Sequence, residues 1–267
     1  MKYTFGFIGC GNMGGALARS VAATVTGENL LLCDACAEKA ELLASELGAE
    51  STTVDAVIGK SDYLFLGVKP QSLSALFEGL KPMIDARQTP PVLISMAAGI
   101  SLATIGEYAG AELPTIRIMP NLPVAVGEGM ILYTTNQYVS DEMLAVFCNA
   151  LSAAGRLDRI DEEKIDAASA LSGCGPAFVY AFAEALADGG VECGVPRDKA
   201  ALYAAQTLLG AAKMLLEYGH PGDLKDAVCS PGGTTIVGVH ALEKGGLRNA
   251  TMDAVTAAYK RTLELKK

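Results

Sequence analysis

Tyr3-Thr4-Phe5-Gly6-Phe7-Ile8-Gly9-Cys10-Gly11-Asn12-Met13-Gly14 decides how the rest of the chain is read. Tyr3 to Gly9 is a short apolar run with the composition of a buried strand. Three glycines follow in the pattern G-x-G-x-x-G, and Ala16 to Val25 then reads as helix. The pattern alone is a weak signal, but directly after a strand and at the opening of a helix it marks a βαβ unit that takes a dinucleotide. Gly9 permits the tight turn, Gly11 lets backbone approach a pyrophosphate, and Gly14 lets the helix pack close against the strand. The amides of Asn12 and Met13 are placed to meet phosphate oxygens at the helix start. A purely structural glycine turn is the alternative.

Asp34 follows at the end of the next apolar run, Leu30 to Asp34, about 20 residues beyond the glycines. A carboxylate there accepts hydrogen bonds from the adenosine ribose hydroxyls and repels a 2′-phosphate. Ala35 offers no cation, and the nearest basic residue after it is Lys39. The cofactor expected is NADH or NADPH, with the balance toward NADH. Alternatively, Asp34 only caps the helix that begins near Glu38.

Further strands are expected at Tyr63 to Val68, Val92 to Ala97, Thr115 to Met119 and Gly129 to Tyr133, and a helix from Glu38 to Leu47 ending at Gly48. Strands alternating with helices specify an α/β fold, a doubly wound parallel sheet of the Rossmann type. Beyond Arg159 the pattern turns wholly helical. Lys164 to Leu171, Ala177 to Val191, Arg197 to Tyr218, Leu224 to Val228, Thr234 to Lys244 and Leu247 to Leu265 all read as helix. The expected organisation is a dinucleotide-binding domain over residues 1–160 and a helical domain over 161–267. Several of these helices are apolar nearly all round, as in Ala177-Phe178-Val179-Tyr180-Ala181-Phe182. Such helices need burial on more than one side, which predicts an interface between subunits.

Hydrophobic residues make up 51% of the 267 and charged residues 19%, the balance of a globular chain rather than a disordered one. A net charge of −9 argues against nucleic acid as the main partner. No apolar run is expected to reach the roughly 20 residues that span a bilayer. The N-terminus lacks a secretory pattern, so a cytoplasmic location is the expectation. Seven scattered cysteines suit free thiols. Cys33 and Cys36 form a lone C-x-x-C, and with His220 and His240 the only histidines, no metal site is expected.

Two further groups of residues point to ligand chemistry. Val68-Lys69-Pro70 and Ala97-Ala98-Gly99 lie at the carboxyl ends of strands, where open α/β sheets bind ligands. Lys69 is placed to meet phosphate or ribose, unless it is merely solvated, and the small residues leave room for a flat ring. Ser230-Pro231-Gly232-Gly233-Thr234-Thr235 breaks the apolar helices of the C-terminal half. Adjacent glycines let backbone amides converge on an anion, threonine hydroxyls stand beside them, and a following helix would point its N-terminus at the same spot. The plainer alternative is a Pro-Gly turn followed by a threonine N-cap.

Taken in order, these motifs resemble the pyrroline-5-carboxylate reductase family over essentially the whole length. The resemblance is carried by Gly9-x-Gly11-Asn12-Met13, Val68-Lys69-Pro70-Gln71, Ala97-Ala98-Gly99, Arg117-Ile118-Met119-Pro120-Asn121, Leu171 to Ala177, Gly194 to Arg197 and, most specifically, the run from Ser230 to Glu243. It implies NAD(P)H-dependent reduction of 1-pyrroline-5-carboxylate to L-proline, the last step of proline biosynthesis. It also implies a homodimer through the helical domain, and in some members a ring of dimers. The substrate carboxylate would lie against amides at Ser230, Gly232, Gly233 and Thr234, with the hydroxyl of Thr235 near the ring nitrogen and acting in catalysis. Three departures from the family stand out: Cys174 where serine is common, Asp34-Ala35 in place of Asn or Ser followed by Arg or Ser, and Val54 in place of an asparagine near the adenine. Dehydrogenases of the β-hydroxyacid type are the rival reading, but the segment Ser172 to Ala177 carries no lysine of the kind they use.

Overall fold

The structure, a computed structural model, describes residues 3–265 and the side chains of 3–264. It divides into two compact units, one reaching to Cys174 and taking in the chain from Tyr259 on, the other spanning Gly175–Ala258.

The first unit is built on an eight-stranded sheet in the order β3-β2-β1-β4-β5-β6-β7-β8. The strands are β1 (Phe5–Ile8), β2 (Leu30–Cys33), β3 (Glu50–Ser51), β4 (Tyr63–Leu66), β5 (Val92–Ser95), β6 (Thr115–Pro120), β7 (Gly129–Thr135) and β8 (Gly155–Arg159). From β3 to β6 every pairing is parallel; β6 and β7 run antiparallel, and β8 returns parallel to β7. The central strands are buried on both faces, and for that reason read as unbroken apolar runs. Phe5 and Phe7 enter one core layer and Ile8 the other. Phe7 and Phe65 stack with ring centroids 4.3 Å apart.

The intervening helices are α1 (Asn12–Ala22), α2 (Ala37–Leu47), α3 (Val54–Lys60), α4 (Pro70–Asp85), α5 (Leu102–Ala109) and α6 (Asp141–Ala150). Gly48 ends α2 in the left-handed conformation, φ 63°, as its place after the last apolar residue predicts. Because β1 lies between β2 and β4, the chain changes direction across the sheet there. The crevice outside the carboxyl ends of β1 and β4 is the topological switch point.

Two features depart from the sequence reading. Helix α7 (Glu162–Ser172) packs on the sheet, with Ile165 fully buried against Met119 and Leu132. Packing therefore divides the chain at Cys174, not at residue 160. Second, the expectation that no apolar run is long enough for a bilayer does not hold. The helical stretch Glu162–Glu192 is long and apolar enough by length and composition, and 11% of its most apolar window is buried.

The second unit holds α8 (Gly175–Glu192), α9 (Arg197–Tyr218), α10 (Pro221–Ala227), α11 (Thr234–Lys244) and the part of α12 (Leu247–Leu265) that reaches Ala258. Its core of buried residues is Ala187, Ala200 and Ala204, with Val191 and Val195 partly buried beside them. Tyr180, Leu202, Leu216 and Val237 are exposed. Phe178, Val179, Phe182, Leu247 and Ala250 line an apolar groove of about 540 Å³.

Candidate active site

The glycine loop closes the crevice at the switch point. Gly9 has φ +104°, and a Cβ there would stand 2.5 Å from the Gly67 carbonyl oxygen. A Cβ on Gly14 would come within 2.0 Å of the Gly9 carbonyl oxygen, so α1 approaches β1 only because residue 14 lacks a side chain. Gly11 is different. Nothing lies within 4 Å of where its Cβ would be, and it is the N-cap of α1 without a side-chain cap. Asn12 and Met13 open the helix, and their first-turn amides have no intrahelical acceptor. An open glycine in front of uncapped amides suits the pyrophosphate of a dinucleotide.

Asp34 stands just after β2, and both its carboxylate oxygens accept backbone amides. Oδ2 takes Cys10 N–H at 2.7 Å and Oδ1 takes Cys36 N–H at 2.9 Å. The residue thus holds the glycine loop and the start of α2 together, the second contact in keeping with the capping alternative and the first beyond it. It remains half-exposed, and each oxygen keeps a lone pair for a further donor. Burial pushes the Cys10 thiol up to about 12, with Asp34 adding to the effect, so this cysteine stays protonated. Cys33 is buried and Cys36 exposed, both as free thiols.

Val68 and Lys69 lead into α4, with Lys69 as its N-cap and Pro70 at the first turn, where a missing N–H costs nothing. Lys69 is exposed and has no ion-pair partner among the described residues. Of the three small residues after β5, Ala97 turns its methyl into the core and is 1% exposed, whereas Ala98 is exposed and Gly99 takes φ +76°. Only Ala98 and Gly99 therefore leave open space.

Acidic residues at the start of α7 read as ordinary surface carboxylates in the sequence, but Asp166 is buried. Its Oδ1 accepts Arg117 Nη2 at 2.6 Å, and Arg117 on β6 is 1% exposed. Glu162 accepts Arg117 Nη1 at 3.4 Å and the Leu102 amide of α5 at 2.7 Å. Asn121 donates to the Ser172 carbonyl at 2.9 Å and accepts the Met130 amide. Helix α7 is thus tied to the sheet unit at its start, middle and end. In register Arg117 pairs with Ser95, two residues before Ala97.

The Ser230–Thr235 segment lies in the second unit as an exposed turn before α11. Gly232 has φ +68°, and a Cβ on Gly233 would stand 2.4 Å from Ser230 Oγ. The Gly233 amide donates to the Ser230 carbonyl at 3.0 Å, so it is engaged inside the turn. The helix N-cap is Gly233, not a threonine, and no side chain caps it. Thr234 and Thr235 are instead its first helical residues, with amides that lack intrahelical acceptors and with exposed side chains.

The C-terminal part, residues 162–265, matches the family model described as pyrroline-5-carboxylate reductase dimerisation. Residues 4–99 match one described as NADP oxidoreductase, coenzyme F420-dependent. Pyrroline-5-carboxylate reductase of Pisum sativum is 41% identical over 267 residues, covering 99% of this chain and 96% of its own. The enzyme of that name from Methanosarcina acetivorans is 42% identical over 266 residues, covering 98% and 97%. The chain belongs to the pyrroline-5-carboxylate reductase family. Solved structures agree: the reductase of Coxiella burnetii superposes with a TM-score of 0.91 at 30% identity, and that of Plasmodium falciparum, with NADP bound, with 0.88 at 31%, each over 100% of both chains.

Against this family the three departures have definite places. Cys174 is an exposed free thiol at the turn before α8. Val54 starts α3 and packs partly against the second core layer, so its side chain serves packing. Asp34 is the loop clasp described above.

Proposed function

We propose that this chain reduces 1-pyrroline-5-carboxylate to L-proline with a reduced nicotinamide dinucleotide. The observation that carries the reading is the Ser230–Gly233 turn, which ends in a helix start with no side-chain cap, in a chain of this family. When bound, the dinucleotide supplies a hydride to the carbon of the C=N bond. Gly11 and the first-turn amides of α1 hold its pyrophosphate, and Lys69 faces the same strand ends. The amides of Thr234 and Thr235, with the helix dipole behind them, hold the substrate carboxylate. The Thr235 hydroxyl donates to the ring nitrogen as that atom accepts electron density, and the proton left on nitrogen comes from water. Ser230, Gly232 and Gly233 shape the turn, and fixed dipoles of this kind need little reorganisation during reaction. The test is the loss of NADH or NADPH absorbance on adding 1-pyrroline-5-carboxylate, with proline as product. Oxidation without proline, or none with either cofactor, contradicts the reading.

NADH is the favoured cofactor on this reading, because the Asp34 carboxylate stands where the adenosine ribose would lie. Asp34→Ser is expected to raise the ratio of kcat/KM for NADPH over NADH by about 10-fold, from removal of one like charge. A ratio that does not move takes the discriminating role from Asp34.

Two copies pair through the helical unit. Its few buried alanines and its exposed apolar side chains leave surface that a second copy would cover. Within the apolar stretch Glu162–Glu192, α7 covers the sheet and α8 belongs to that same association, rather than to a membrane. Light scattering at micromolar concentration is expected to give the mass of a dimer, or of a ring of dimers, without detergent. A monomer, or a protein that needs detergent, contradicts this. The location is cytoplasmic, in keeping with seven free thiols.

A further inference from the structure

We infer that the cavity at the amino ends of β1 and β2 binds a small organic ammonium ion, an amine with a short apolar body and no acid group. It lies at the opposite edge of the sheet from the dinucleotide crevice and is independent of the reaction proposed above.

Tyr3 and Phe5 at the start of β1, residues of the chain from Thr24 to Asn29 that enters β2, and one side of α6 from Glu142 to Ala150 enclose about 860 Å³. The glycine loop follows the other end of β1, whose four residues span roughly 13 Å. Hydrogen bonds tie the walls to one another. Thr24 Oγ1 donates to the Ala150 carbonyl at 2.8 Å, joining the chain after α1 to the end of α6. The Tyr3 hydroxyl donates to Glu142 Oε1 at 3.1 Å, joining the start of β1 to the start of α6.

Asn29 sets the chemistry of the ligand. It lines the cavity, is 7% exposed, and donates from Nδ2 to Thr26 Oγ1 at 3.0 Å. Its Oδ1 accepts no hydrogen bond from the described residues. A side-chain carbonyl so far out of water is costly unless a donor reaches it. The charged groups around it are the carboxylates of Glu28 and Glu142, and among the described residues no lysine, arginine or histidine lines the cavity. A ligand for this place therefore donates hydrogen bonds and carries positive charge. Tyr3 takes Glu142 Oε1, which leaves Oε2 for the ligand. Phe5, Val25 and Val146 supply apolar wall for a short hydrocarbon body. An amino acid does not suit, because its carboxylate would face two others without a cation to pair with. Both glutamates are exposed, so the attraction is screened and the affinity falls in the millimolar range.

The experiment is saturation-transfer NMR on the intact protein with n-butylammonium chloride, and with sodium butyrate and 1-butanol as the anionic and neutral controls. The ammonium ion is expected to bind the wild type, and both controls at least about 5-fold more weakly. Glu142→Gln is expected to weaken the ammonium ion about 5-fold, the loss of one exposed charge. Ala145→Phe, which fills the cavity from the exposed side of α6, is expected to abolish binding. Glu142→Gln alone decides the matter if Ala145→Phe folds poorly, since it keeps the size of an exposed side chain. Raising salt from about 0.05 to about 0.3 M is expected to weaken the ammonium ion and leave 1-butanol unchanged. No binding of the ammonium ion, equal binding of butyrate or 1-butanol, or undiminished binding by Glu142→Gln overturns the inference.

Discussion

Thr235→Ala is expected to lower kcat about 100-fold, equivalent to about 2.7 kcal/mol of transition-state stabilisation, while the dissociation constant for the reduced cofactor stays within about two-fold. The expectation follows from position. Thr235 is the second residue of α11, exposed, and its hydroxyl makes no hydrogen bond within the described residues. A buried, satisfied hydroxyl would serve the fold, whereas an exposed one at a helix N-terminus is available to a ligand. Removing it takes away a donor whose interaction strengthens as the ring nitrogen gains electron density, so kcat falls rather than KM alone rising. Thr235→Ser keeps the hydroxyl and is expected to recover most of the rate. Unchanged proline formation by the alanine variant removes Thr235 from the mechanism.

Arg117→Ala is expected to destabilise the protein by about 3–5 kcal/mol and to lower its melting temperature by roughly 10 °C. Arg117 is 1% exposed, and its partner Asp166 is also buried. Truncation takes the guanidinium from a carboxylate that is out of water, and the cost is that of a broken buried pair rather than of a lost surface pair. It also loosens α7 from β6, since Glu162 loses the same partner. The Arg117 Nε, buried with no hydrogen-bond partner, means that the wild-type pairing is already incomplete. Replacing both members, as Arg117→Met with Asp166→Leu, is therefore expected to recover most of the lost stability. A thermal unfolding series over the three proteins decides the matter. A single variant that melts like the wild type would show that the pair is not what holds α7.

What could be read from the sequence follows from burial. Strands β1, β2, β4 and β5 are apolar on both faces, so Phe5 to Ile8 or Tyr63 to Leu66 read as strands without help. Strand β8 escaped because it lies at the sheet edge and reads Gly-Arg-Leu-Asp-Arg, with charge where a central strand would be apolar. Strand β3 is two exposed residues. Helix α7 carries its acids on the first turns, which reads as a solvated helix start. The available clue was Arg117, a lone cation in the apolar run Thr115 to Met119, which had to find a partner once buried.

Legibility of the candidate site was uneven for similar reasons. The glycine spacing at 9, 11 and 14 is local, and the close approaches of Gly9 and Gly14 follow from it. The amides that occupy Asp34 depend on how loops and helices pack, which spacing along the chain does not encode. The threonine N-cap alternative failed because Gly233 can cap the helix itself.

On the proposed function, the turn from Ser230 to Gly233, with the first turn of α11, holds the acid end of the substrate. Crystals grown with L-proline and oxidised cofactor test it most directly. Density for the proline carboxylate is expected within hydrogen-bond distance of the Thr234 and Thr235 amides, with the ring nitrogen near the Thr235 hydroxyl. Proline bound at any other place, with this turn unoccupied, would contradict it.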